Sequence, residues 1–128
     1  MRIVLKNGLA VPIYEQIKDS IKENIIKKRV GPGERLPSVR NLSKDLGVSI
    51  LTVKKAYDFL EEEGFIESRQ GLGTFVSEDD ENIIREEVQK SIEDGPLKAI
   101  ELSKKIDLDK KTLFELFDYL YEGGGYEK

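Results

Sequence analysis

The 128-residue sequence contains neither cysteine nor histidine. Without cysteine, a disulfide framework and a thiolate metal site are both excluded. Without histidine, the chain lacks the side chain whose ordinary pKa lies near neutrality, which is also the commonest general base and metal ligand. The scattered Asp and Glu residues show no metal-ligand spacing. Catalysis, a bound metal and a cofactor are therefore not expected. Long apolar runs are missing too: none approaches the ~18 residues of a membrane span. The opening Met1-Arg2-Ile3-Val4-Leu5-Lys6 is too short for a secretory signal, so export is not expected. These absences leave a soluble, cytoplasmic, non-enzymatic protein with no membrane partner as the expectation. No internal repeat is present, and low complexity is confined to the terminal Gly123-Gly124-Gly125.

Charge is abundant and unevenly placed. The whole chain carries a net charge of −4, which argues against nucleic acid until the two parts are counted apart. Residues 1–77 hold 13 Lys and Arg against 10 Asp and Glu, a net of +3, whereas residues 78–128 hold 8 against 15, a net of −7. Phosphate neutralisation needs Lys and Arg only on the contacting face, and an acidic remainder can point away.

Turn and periodicity signals order the chain. Ile3-Val4-Leu5 reads as a short strand or an arm, followed by turn residues at Lys6-Asn7-Gly8 and by Pro12 in the first turn of a helix. Ile13, Ile17, Ile21 and Ile25, with Tyr14 and Ile26, recur at helical spacing and form one apolar stripe. Val30-Gly31-Pro32-Gly33 ends that helix, and Glu34-Arg35-Leu36 reads as a very short strand. A second helix starts at Ser38, buries Val39, Leu42 and Leu46, and stops at Gly47. Ser49 caps a third, from Ile50 to Glu63, whose Val53, Ala56, Tyr57 and Leu60 face inward. Ile50, Leu51, Lys54, Lys55 and Asp58 lie nearer the outside. After Gly64, Phe65-Ile66-Glu67-Ser68-Arg69 reverses through Gln70-Gly71-Leu72-Gly73 into Thr74-Phe75-Val76-Ser77. This order is a helix-turn-helix with a wing.

Beyond Ser77 the acidic run Glu78-Asp79-Asp80-Glu81 suits the positive end of a starting helix. That helix carries Ile83, Ile84, Val88 and Ile92. Asp94-Gly95-Pro96 is expected to interrupt it before Leu97, Ile100, Leu102 and Ile106. Asp107 or Asp109 caps a last helix bearing Leu113, Phe114, Leu116, Phe117, Leu120 and Tyr121. Roughly fifty residues in three apolar helices cannot close a large core alone. They either pack on the first part or pair with another copy, and pairing is the expectation because helix-turn-helix modules commonly bind as dimers. The aromatic set Phe114, Phe117, Tyr119 and Tyr121 reads as core rather than as the lining of a small-molecule pocket. Whether an effector binds is left open.

Four segments taken together carry a family likeness: Pro12-Ile13-Tyr14-Glu15-Gln16-Ile17, Pro32 to Arg40, Thr52-Val53-Lys54-Lys55-Ala56-Tyr57, and Glu63 to Glu67 with Gly71 to Val76. In their joint order and spacing they resemble the winged-helix domain of the GntR family of bacterial transcriptional regulators. The short tail resembles the YtrA-like branch, in which a tail of this length implies dimerisation. The resemblance implies a mainly α fold with a small β-hairpin wing. It divides the chain into a DNA-binding domain at residues 1–77 and a helical dimerisation tail at residues 78–128.

Carried over by position, it implies that Arg40 approaches the DNA backbone or a guanine edge, for which a fork of donors suits either target. The bland alternative pairs Arg40 with Asp45. It also implies that Ser49 contacts a phosphate, a role that can coexist with capping. Thr52 and Lys54 lie where an inserted helix reaches bases and phosphates, while Lys55 can be simply solvated. Ile50 and Leu51 depart from the polar residues many members place there. They suit either thymine methyl groups or packing against a neighbour. Arg69, Gln70 and Gly71 sit at the wing tip, which the family likeness sends to the minor groove, although an ordinary tight hairpin would use the same glycines. The expected function is a sequence-specific regulator, a repressor, binding a pseudo-palindromic double-stranded DNA operator as a homodimer through its C-terminal helices. The competing reading is a winged-helix scaffold that binds protein and shows no specific DNA binding.

Overall fold

A computed structural model describes residues 1–8 and 10–124; Gly125, the last of the three terminal glycines, lies outside the described residues. The element order is α1 (Ile13–Ile26), α2 (Val39–Leu46), α3 (Ile50–Glu62), β1 (Ile66–Arg69), β2 (Gly73–Val76), α4 (Asp80–Lys105) and α5 (Lys110–Tyr121). The chain divides into two compact units, Met1–Glu86 and a second that begins at Glu87, with α4 running through the division.

In the first unit the four-residue spacing of α1 buries Ile17, Ile21 and Ile25 against Val53, Ala56, Tyr57 and Leu60 of α3, with Leu36, Leu42, Phe65, Ile66 and Val76 completing the core. Each helix end has a local cause. Ser38 Oγ accepts the N–H of Asn41 at 3.0 Å to open α2, and Gly47, at φ 67°, closes it in the left-handed region that a side chain disfavours. Tyr57 ties the two helices: its hydroxyl donates to the Pro37 carbonyl at 2.7 Å, just ahead of α2. The hairpin pairs Ile66 with Val76 and Arg69 with Gly73, antiparallel.

The chain before α2 lies along the free edge of β2. Arg35 bridges Phe75, the Leu36 N–H donates to the Thr74 carbonyl at 2.8 Å, and the Val76 N–H donates to the Glu34 carbonyl at 2.8 Å. The very short strand expected at 34–36 is thus a single bridge. Ile3-Val4-Leu5 is an arm, not a strand. The backbone on either side of it is held by α1 side chains, with Asn24 Nδ2 donating to the Arg2 carbonyl at 3.1 Å and Gln16 bonding the Lys6 backbone in both directions, while Ile3 and Leu5 pack on the core.

The start of α4 belongs to this unit as well. Ile83 and Ile84 pack on the core, and the buried Asp80 carboxylate accepts from Lys28 Nζ at 2.9 Å. Removing one partner of such a pair leaves an uncompensated buried charge, so the contact fixes where α4 begins.

The expected break at Asp94-Gly95-Pro96 does not occur: α4 is continuous, with Pro96 inside it. Proline disfavours the helical region for the residue before it through a clash with that residue's Cβ. Gly95 has none. Leu97, Lys98, Ala99, Glu101 and Leu102 are good helix formers that carry the segment onward. The tail therefore has two helices where three were expected. Asp109, not Asp107, caps α5 by accepting the Thr112 N–H at 2.9 Å, and Asp107 takes a left-handed turn conformation before it.

In the second unit Leu113 is the one buried apolar side chain among the described residues. Phe114, Phe117, Tyr119 and Tyr121 are exposed, so within one chain they form neither the expected core nor an enclosed pocket. Two helices offer too little surface to cover them.

Candidate nucleic-acid interface

The candidate recognition surface is built on the first turns of α3. Ser49 Oγ accepts the Thr52 N–H at 3.1 Å and lies 2.7 Å from Thr52 Oγ1, so the serine holds both the backbone and the side chain of the first turn. The cap leaves the helix N-terminus at the surface, where partial positive charge favours an anion. Because Val53, Ala56, Tyr57 and Leu60 are buried, helical spacing puts residues 50, 51, 54, 55 and 58 on the outer face. Ile50 is 46% exposed and Leu51 is 77% exposed. Neither is consumed by the core of the first unit.

The cations around this face differ in how they are engaged. Lys54 Nζ lies 2.9 Å from Asp58 one turn on, with both side chains more than half exposed. Such a pair contributes only ~0.3–0.5 kcal/mol and yields readily to a phosphate. Lys55 Nζ sits 4.0 Å from the centre of the Tyr14 ring. Tyr14 in turn stacks on Phe59 at 5.7 Å, and Lys18 reaches the other aromatic at 5.5 Å. This aromatic and lysine cluster fixes α1 to α3 through surface side chains. The sequence reading missed it, since Tyr14 and Phe59 lie far apart in the chain and each passes as part of an apolar stripe.

Arg40, in the first turn of α2, is exposed, and among the described residues no ion pair joins it to Asp45.

At the wing, Gln70 and Gly71 occupy the exposed turn, with Gly71 at φ 76°. Arg69 faces back. Its Nη2 donates to Glu67 at 2.7 Å and to Glu78 at 3.3 Å, and its guanidinium lies 4.3 Å from the Phe75 ring centre. The hydrogen bond it donates to Glu67 is the main reason its pKa is raised. The structure thus brings Ser49, Ile50, Leu51, Thr52 and Lys54 together on one helix end, sets Lys55 at its rim, and leaves Arg69 turned away from the tip. Among the described residues no group of acidic side chains is arranged to hold a metal ion, and no helix is long and apolar enough to cross a membrane.

Residues 13–76 match the family described as bacterial regulatory proteins, gntR family. The chain is 39% identical over 103 residues to the HTH-type transcriptional repressor YtrA of Bacillus subtilis, covering 74% of this chain and 79% of that protein. YtrA from Sulfolobus acidocaldarius, a GntR-family transcription factor of known structure, is 40% identical and superposes with a TM-score of 0.56 over 70% of this chain and 96% of its own. AraR(DBD), solved in complex with operator ORX1, is 31% identical with a TM-score of 0.54, over 60% of this chain and 96% of its own.

Proposed function

This chain belongs to the GntR family of bacterial regulatory proteins and is a DNA-binding transcriptional regulator of the YtrA-like type; from that premise we propose that it is a repressor acting as a homodimer on a pseudo-palindromic operator. Residues 1–77 form the DNA-binding part and residues 78–128 the dimerisation part. The observation that carries the reading is the uncovered apolar surface of the second unit, where Ile92 is 64%, Ile106 73% and Phe114 54% exposed. Exposed apolar side chains gathered in one unit support an interaction site there. A second copy of the same chain offers a matching apolar surface, and a two-fold pairing makes one patch serve both partners.

Two copies joined by their tails present two α3 helices to half-sites about one helical turn apart. Ser49, Thr52, Lys54 and Lys55 then position the frame on phosphates. Arg40 reads a base edge or a phosphate, and Gln70 and Gly71 bring the wing, with Arg69 behind them, to the minor groove. Ile50 and Leu51 meet thymine methyl groups, so the half-site is rich in A·T pairs. The name of the Bacillus subtilis relative supports repression.

Selection of bound sequences from random duplexes, read by sequencing, tests this. The expected result is two inverted half-sites with thymine enrichment under Ile50 and Leu51. A single asymmetric site, or a monomer in sedimentation equilibrium, rejects the homodimer. Arg40→Ala is expected to cost about 1–3 kcal/mol and to relax preference at one position if Arg40 reads a base; a uniform loss across sequences assigns it to phosphate.

A further inference from the structure

The wing holds two arginines in opposite electrostatic states. Arg69 is enclosed by Glu67 and Glu78 and lies on Phe75. Its Nε and Nη2 already face Glu67 and Glu78, and each carboxylate repels a phosphate brought to them. Arg35 is exposed, and among the described residues none of its donors meets a carboxylate or any other acceptor.

Its place is set by backbone. Arg35 bridges Phe75 on the outer edge of β2, held by the flanking Leu36-to-Thr74 and Val76-to-Glu34 hydrogen bonds. From there its side chain runs diagonally onto Gly73 at the start of β2. A Cβ built on Gly73 would stand 3.0 Å from Arg35 Nε and 3.3 Å from Nη2. Gly73 also sits at φ 122°, so both its conformation and its bare surface belong to glycine. The glycine is the seat of the guanidinium, two residues from the wing tip at Gly71.

We propose that Arg35, seated on Gly73, is the wing's phosphate-binding cation, and that Arg69 is a positioning residue that fixes Phe75 and the strand pair. The proposal rests on the wing approach to DNA described above. A planar fork of unengaged donors at the edge of the ribbon matches the geometry of a phosphate. Its neutralisation of one phosphate releases counterion, whereas Arg69, already neutralised, releases little.

The test uses the full chain with a duplex recovered by selection and with a scrambled duplex, titrated across a salt series. Arg35→Gln is expected to reduce the slope of log affinity against log salt by about one and to weaken both duplexes alike, by about tenfold at moderate salt. Arg69→Gln is expected to leave the slope unchanged. Gly73→Ala should mimic Arg35→Gln, and the double variant should be no weaker than Arg35→Gln alone, since both changes remove one contact. Circular dichroism melts verify that each variant is folded, and Arg35→Gln, at an exposed site, carries the decision if Gly73→Ala is not folded. A wild-type slope retained by Arg35→Gln, a loss confined to the selected duplex, or a slope change in Arg69→Gln overturns the assignment. Wild-type protein that binds no duplex overturns the DNA-binding reading itself, which separates the two failures.

Discussion

The two units of this chain use similar apolar residues to opposite ends. In the first, Ile17, Ile21, Ile25, Val53, Leu60 and Phe65 vanish into one core, while in the second Ile92, Leu97, Ile106 and Phe114 are exposed and, among the described residues, Leu113 is the one buried apolar side chain. The difference is one of layers. Three helices and a hairpin enclose a core from several sides, whereas the second unit by itself holds only the last part of α4 and α5. In the homodimer proposed above, a second copy would cover that apolar face.

The largest way to break this comparison is to charge the uncovered surface. Ile92→Asp with Phe114→Asp is expected to yield a folded monomer and to weaken operator binding by roughly 10²–10⁴-fold through loss of bivalency. Sedimentation equilibrium and a gel shift read the two effects, and a variant that stays dimeric would show that other residues make the interface. Next comes the opposite lesion. Ile21→Ala removes a fully buried side chain from α1 and should destabilise the first unit by about 2–5 kcal/mol in urea unfolding, with the tail's self-association intact.

A smaller effect follows from Tyr57. Loss of its hydroxyl in Tyr57→Phe leaves the Pro37 carbonyl without its donor and should cost about 1 kcal/mol. Burial pushes the Tyr57 phenol well above its ordinary value of 10.0. Its contribution is therefore fully present below pH 10 and lost as pH rises through the raised folded value. Alkaline melts of wild type and Tyr57→Phe should converge, and parallel melts would deny the linkage.

The least effect is at the α5 cap. The Thr112 hydroxyl, followed by its backbone N–H, holds Asp109 below the ordinary 3.8. The cap is intact above that value and is lost as pH falls through the lower folded one. Asp109→Asn should retain the helix and abolish the acid step seen by circular dichroism.

Much of the first unit was legible because its signals are local. Ser38, Gly47, Ser49 and Gly64 bound helices through hydrogen bonds and backbone angles within a few residues of themselves, and the isoleucine stripe of α1 has one period. The outer face of α3 followed, since the residues buried on α3 dictate those left outside. Pro96 was misread because one part of proline's cost, the clash with the preceding residue's Cβ, is absent at Gly95, and the helix tolerates the rest, the missing N–H and the crowded carbonyl four residues back. The engagement of Arg69 and the freedom of Arg35 were not legible, because both depend on which strand lies beside which.

The sequence by itself determined where α2 and α3 start and stop, which side of α1 and α3 turns inward, and that a glycine-tipped ribbon follows a serine-capped helix. These are consequences of periods and caps that act over three or four residues. Tertiary structure alone decided that Arg35 rests on Gly73 while Glu67 and Glu78 hold Arg69, that Lys55 stands over Tyr14, and that the tail's aromatic side chains stay uncovered. Those outcomes are set by contacts between distant segments, and a side chain's charge is available only when no such contact has already answered it.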